Sequence, residues 1–187
     1  KNLKTEFTSA DDFLKNLIKK LSSIHSVWEP NSKTTEGGYQ TMGNLFDRND
    51  VEIIELKKII EKQIVNYKET FKNNKDFFIT KWPTENKFRG WHVKLCEQGH
   101  QKSHIHPAGW LSGVFYLKIP KILKGEEGSI KFTLYGYDYP NHENLPSLLH
   151  IPKVFDVALF PSSLFHRTIP FSSKEERQSI AFDIVPK

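Results

Sequence analysis

The chain has 187 residues, of which 37% are hydrophobic and 26% charged, and a formal charge of +5. That is enough chain to bury one core of ordinary size, and the lysines behind the positive charge are dispersed along it, as on a solvated surface. A single cysteine, Cys96, excludes an intramolecular disulfide and any cysteine-built zinc or iron–sulfur site, and fits a reducing, cytoplasmic setting. No apolar run approaches the ~18 residues of a membrane span. The chain opens on Lys1-Asn2-Leu3-Lys4, without an initiator Met or an apolar leader-like run, which allows for a longer parent protein.

Helices come first. Ser9 can cap a helix that carries Phe13, Leu14, Leu17, Ile18 and Leu21 on one face, and Asp12 stands where a capping box would put its acid. Asn49 and Glu52 suggest a second box, leading a helix over 50–71 whose apolar residues are Ile53, Ile54, Leu56, Ile59, Ile60, Ile64, Val65 and Tyr67. Between the two, residues 34–41 read as a polar loop around Gly37-Gly38.

From about residue 76 the period changes. Stretches 77–82, 91–96, 110–117, 129–134, 154–160, 165–169 and 178–185 are aromatic, β-branched or alternating, and Gly, Pro, Asn and Ser separate them. Many short strands with such punctuation point to a sandwich or barrel, with the leading helices bracing one sheet. The expectation is a single domain over 1–187, mostly β, with a helical brace over 1–75 and a β-barrel core over 76–187.

Six of the eight histidines lie beyond residue 99, so the chemistry is expected in the strand-rich part. His104 and His106 are two apart, and on an extended chain their side chains share a face. An isolated His-x-His before a proline is usually a surface loop. Here a third histidine, His166, follows the apolar strand Val157-Ala158-Leu159-Phe160, and three imidazoles suit iron, zinc, copper or nickel. Eleven residues beyond His166, Arg177 and Ser179 share one face of a β-branched strand. A buried arginine needs an anion, and its fork grips a carboxylate. A metal cluster and a carboxylate grip in one barrel point to a metal-bound keto acid. His100, His142 and His150 read as loop histidines, and Cys96 as a small core residue.

The stretch from His104 to Leu117 (HIHPAGWLSGVFYL), Leu159-Phe160-Pro161-Ser162 running to His166, and Arg177-Gln178-Ser179-Ile180-Ala181-Phe182 together resemble the iron(II)/2-oxoglutarate-dependent oxygenases, most nearly the prolyl-hydroxylase-like branch of bacteria and phages. The resemblance covers about 91–186. It implies a double-stranded β-helix, a jelly-roll barrel braced by the two helices. It also implies Fe(II) as metal and 2-oxoglutarate as cosubstrate, with dioxygen consumed and succinate and CO2 released as a C–H bond of a peptide side chain or small molecule is hydroxylated. Position by position, His104 and His166 match metal ligands, and Arg177 with Ser179 matches the grip on the far carboxylate of 2-oxoglutarate. Tyr116 matches a tyrosine contact to that carboxylate, Ser112 lies on the same strand face, and Trp110 is placed to wall the substrate pocket or fill the barrel.

The departure is His106, where the usual motif has a carboxylate. Three readings are open: a three-histidine site of His104, His106 and His166; His106 beside the site, with water completing it; or His106 as the first ligand and Ala108 at the position left vacant in halogenase-like sites. The first is preferred, because His-x-His turns both rings inward. Asp183, on the face of Arg177 and Ser179, is a fallback carboxylate. A metal-binding cupin-type barrel, sugar-binding or isomerase, is the alternative; it would not need the Arg-Ser pair. A nucleic-acid demethylase of the alkylation-repair type usually carries a second arginine six residues on from the first, and here that position is Asp183.

Overall fold

The computed structural model describes residues 7–121, 124–137, 139 and 144–187; His142 lies outside them. Helix α1 spans Ala10–Ser22 and helix α2 spans Val51–Phe71. Ser9 caps α1 as expected, its hydroxyl accepting from the Asp12 amide at 3.1 Å, but Asp12 turns its carboxylate to the Thr8 amide instead of back to Ser9. The second expected box does not form. Asp50 is the N-cap of α2, and its carboxylate pairs with Lys20 at 3.0 Å and Arg48 at 2.7 Å, tying the start of α2 to the last turn of α1.

Nine strands follow the chain among the described residues: β1 Ser26–Trp28, β2 Thr35–Thr41, β3 Asn86–Gln101, β4 Leu111–Lys118, β5 Ile130–Thr133, β6 Ser147–His150, β7 Val157–Pro161, β8 Phe165–Thr168 and β9 Arg177–Pro186. They form two sheets, β1-β2-β3-β9-β4-β7 and β6-β5-β8. The Gly37-Gly38 segment is therefore a strand with a bulge. The register against β3 shifts between Glu36 and Gly38, Gly37 takes φ +60°, and a Cβ at Gly38 would sit 2.5 Å from the Lys94 carbonyl. Strands β1 and β2 thus belong to the larger sheet, although they precede the expected barrel core. The expected strand over 77–82 is instead a helical turn, α3, over Phe77–Thr80. Its aromatic residues find no strand partner; Phe78 packs edge-on to Tyr67 and Trp82 and stacks on Trp110.

Alternation decides what each face of the larger sheet meets. Leu111, Phe115 and Leu117 of β4 and Ile180, Phe182 and Ile184 of β9 are buried with Phe13, Leu17, Leu21, Ile53, Leu56, Ile60 and Ile64 of the two helices. The opposite residues face the smaller sheet, where Val114 and Tyr116 pack with Ile130, Phe132 and Phe160. This is the jelly-roll arrangement with one sheet braced by helices. No described helix is long and apolar enough to cross a membrane. Cys96 is only partly buried, so it is not a core residue.

His92 on β3 is 5% exposed, and among the described residues its ring hydrogen-bonds only with the Gln178 side chain, at 3.3 Å. Burial pushes its pKa down from 6.5 to about 4. The native state therefore refuses a proton that the unfolded chain accepts. Stability from this ring is complete above pH 6.5 and falls as the pH drops toward 4, at up to about 1.4 kcal/mol per pH unit. Urea unfolding at pH 7, 6 and 5 is expected to show a shallower pH dependence in His92→Gln than in the unsubstituted protein; identical slopes would remove His92 as a cause.

Candidate metal centre and anion pocket

The two sheets meet at one end through His104 and His166. Their backbones form a β-bridge with amide–carbonyl bonds of 3.1 and 3.0 Å in the two directions. His106 lies in the extended segment just beyond, its amide donating to the Ser162 carbonyl at 2.9 Å. Neither His104 nor His106 is in a full strand, yet the extended backbone still turns both rings to one side. The ring centroids of His104, His106 and His166 are 4.3–5.0 Å apart, and one ligand nitrogen from each lies within 4.8 Å of the others.

The hydrogen bonds at the far side of each ring decide its tautomer. His104 Nδ1 meets the Lys102 carbonyl at 2.7 Å and His166 Nδ1 meets the Leu164 carbonyl at 3.0 Å. A carbonyl only accepts, so each Nδ1 carries the proton and each Nε2 presents a lone pair. His106 Nδ1 meets Asp183 Oδ1 at 2.5 Å, which leaves its Nε2 likewise bare and 3.0 Å from His104 Nε2. Two bare nitrogens facing each other at that distance repel unless a cation lies between them. Burial, reinforced by the neighbouring imidazoles, depresses His104 to about 4 and His166 to about 3, so both rings are in the neutral, metal-binding form. This donor set fits a divalent transition metal.

Farther along the same interior face, Arg177 is 2% exposed. Its Nε donates to the Gly128 carbonyl at 2.9 Å, one terminal nitrogen reaches Ser179 Oγ only at 3.5 Å, and its guanidinium stands 5.1 Å from the centroid of the Tyr116 ring. No carboxylate pairs with it among the described residues. Beside it, among the described residues, neither the buried Tyr116 hydroxyl nor the hydroxyl of Ser129, next to Gly128, has a hydrogen-bond partner. Burial raises the Tyr116 phenol to about 12 against the pull of Arg177, so it remains a donor. Burial also lowers the Arg177 pKa, but a guanidinium starts high enough to stay charged. An unpaired buried cation flanked by idle hydroxyls has the chemistry to receive an anion, and a carboxylate matches its fork.

Of the remaining expected residues, Ser112 sits with the histidines and not with Arg177. It donates to Asp183 Oδ1 at 2.7 Å and bonds Ser162 Oγ at 2.8 Å. Trp110 neither walls the pocket nor fills the barrel: it precedes β4, stacks on Phe78 at 5.5 Å, and donates from its indole to the Phe78 carbonyl at 3.1 Å. The cavity beside the histidines, about 590 Å³, is lined by the 32–34 and 40–44 segments, Arg89, Trp91 and Tyr137 as well as His104, His106 and Asp183. Sequence reasoning missed Trp91, whose ring centroid is 5.5 Å from that of His106, and Ser129. Trp91 pairs with Ala181 across β3 and β9, so a shared face with Arg177 and Ser179 follows once the register is known.

A jelly roll with a three-imidazole cluster and an anion pocket in one interior defines a metal-dependent enzyme that uses an acidic cosubstrate. A family model described as "Putative 2OG-Fe(II) oxygenase" matches residues 89–183. The chain belongs to this family: it is an Fe(II)- and 2-oxoglutarate-dependent oxygenase. Among solved structures it is similar in fold to a prolyl-4-hydroxylase from Pseudomonas putida, with TM-score 0.62, 12% identity, and coverage of 96% of this chain and 89% of that one. It is also similar to HygX from Streptomyces hygroscopicus with nickel and 2-oxoglutarate bound (TM-score 0.61, 12% identity, 94% and 78% covered). A third is the prolyl hydroxylase from Trichoplax adhaerens in complex with a hypoxia-inducible-factor peptide fragment (TM-score 0.61, 14% identity, 92% and 76% covered). No curated protein matches.

Proposed function

We propose that His104, His106 and His166 hold the iron through their Nε2 atoms, and that Arg177, Tyr116 and Ser179 grip the far carboxylate of 2-oxoglutarate. The observation that carries this reading is the buried Arg177, which has no carboxylate partner among the described residues and shares one sheet face with Asp183 and the histidine cluster. With dioxygen, the bound iron and 2-oxoglutarate supply an oxidative decarboxylation to succinate and CO2 coupled to hydroxylation of a C–H bond. The protein's own residues hold and orient. The backbone carbonyls of Lys102 and Leu164 keep His104 and His166 turned inward. Arg177 and the Tyr116 hydroxyl supply donors to an anion without first giving up other strong bonds, so little reorganisation is needed. The apolar Val114, Phe132 and Phe160 keep the interior dry.

The substrate is a peptide side chain or a small molecule that enters the 590 Å³ cavity and lies against Trp91, the 40–44 segment at the end of β2, and Arg89. The whole of 1–187 acts as one catalytic unit, and the lone unpaired Cys96 supports a cytoplasmic setting. Anaerobic loading with Fe(II), followed by 2-oxoglutarate and air, is expected to release succinate. Screening peptide and metabolite pools for stimulation of that release identifies the substrate class. Metal uptake with no succinate from 2-oxoglutarate under any pool would favour a binding barrel.

A further inference from the structure

We propose that Asp183 is a positioning residue for the metal: it holds His106 in the donor tautomer and brings to the site the negative charge that three neutral imidazoles lack. The inference rests on the three-histidine reading above. Asp183 is 7% exposed, and among the described residues its only ionic partner is His106. Arg89 faces it across the β3–β9 register but makes no ion pair with it. The same carboxylate oxygen that meets His106 Nδ1 at 2.5 Å also accepts from Ser112, and Ser112 is braced by Ser162. The loop carrying His106 closes on that pair because residue 109 is glycine; a Cβ there would lie 2.4 Å from Ser162 Oγ.

The three rings are not equivalent. His104 and His166 give their Nδ1 protons to backbone carbonyls, whereas His106 gives its proton to an anion. A carboxylate behind a ligating imidazole fixes the ring and makes its far nitrogen the better donor, and loss of such a partner typically costs about 10–100-fold in metal affinity. Without Asp183, His106 has no fixed proton position, since Ser112 at 3.0 Å from Nδ1 can either donate or accept. Half of the ring's neutral states would then point a proton, not a lone pair, at His104.

Cobalt(II) titration, followed by its visible d–d absorption, tests this in four proteins: unsubstituted, Asp183→Asn, His106→Asp, and the double variant. Asp183→Asn is expected to weaken cobalt binding about 10–100-fold and to alter the d–d spectrum. In the His106→Asp background the same change is expected to strengthen binding, because it removes one of two carboxylates that would face each other there. Equal weakening in both backgrounds, or no change in either, overturns the role of Asp183. If Asp183→Asn fails to fold, Ser112→Ala takes its place: it leaves the charge, removes one hydrogen bond that orients it, and is expected to weaken binding by a smaller factor, with no change overturning the proposal. An unsubstituted protein that takes up no cobalt overturns the three-histidine reading itself.

Discussion

Replacing Arg177 by methionine is expected to abolish 2-oxoglutarate binding while leaving the ligand-free protein at least as stable as before. The two effects have one cause. The Arg177 guanidinium is buried, with one firm hydrogen bond to Gly128 and no carboxylate among the described residues, so in the ligand-free fold it is an uncompensated charge. Exchanging such a charge for an apolar side chain of similar volume is neutral or stabilising by up to about 4 kcal/mol. Once 2-oxoglutarate has lost its solvation inside the barrel, the absent guanidinium leaves a buried carboxylate unpaired, at a cost of about 3–5 kcal/mol, or two to nearly four powers of ten in affinity. Thermal unfolding with and without 2-oxoglutarate reads both: the melting temperature of the unsubstituted protein rises with ligand and that of Arg177→Met does not. Arg177→Lys is expected to fall between them, because a point charge does not reproduce the bidentate fork. A ligand-induced rise that survives in Arg177→Met would move the cosubstrate to another part of the barrel.

Removal of His166 is expected to cost the metal outright. His166 is the ligand candidate contributed by the smaller sheet, and its neutral ring points its Nε2 lone pair away from Leu164 and inward. Since loss of a partner one shell out costs about 10–100-fold, loss of a donor itself is expected to exceed ~100-fold in affinity for Fe(II) or cobalt(II), with succinate formation falling in step. His104→Ala is expected to behave alike, while His106→Asp is milder. An aspartate at 106 still offers one inward oxygen, but it is shorter and faces the carboxylate of Asp183. Full metal retention in His104→Ala, with loss in His106→Asp, would make His106 the first ligand and Ala108 the position left vacant. In the fold it is His104, and not His106, whose backbone is bridged to His166.

How far the site could be read in advance differs residue by residue. His104, His166, Arg177 and Ser179 stood out as candidates because their types are unusual in apolar, alternating surroundings, and that pattern is local. The inward face of Tyr116 was legible from alternation along β4, although its idle hydroxyl was not. Ser112 was assigned to the right face and the wrong end: four residues along a strand separate it from Tyr116, far enough to leave the anion pocket and join His106. Trp110 failed because alternation was extended one residue past the start of β4, where the chain is still leaving the turn at Gly109.

The sequence by itself determined the two amphipathic helices, the alternation along β4 and β9, and the residue types suited to a metal and an anion. All of these depend on a period of 3.6 or 2 along one stretch of chain. Only the tertiary structure decided that Gly37-Gly38 is a bulged strand against β3, that 77–80 is a helical turn under Trp110, and that Asp183 stands behind His106. These depend on which strand lies alongside which, and in what register. Asp183 is opposite Ser112 and Arg89 because β9 runs between β4 and β3, and that adjacency joins residues 71 positions or more apart along the chain.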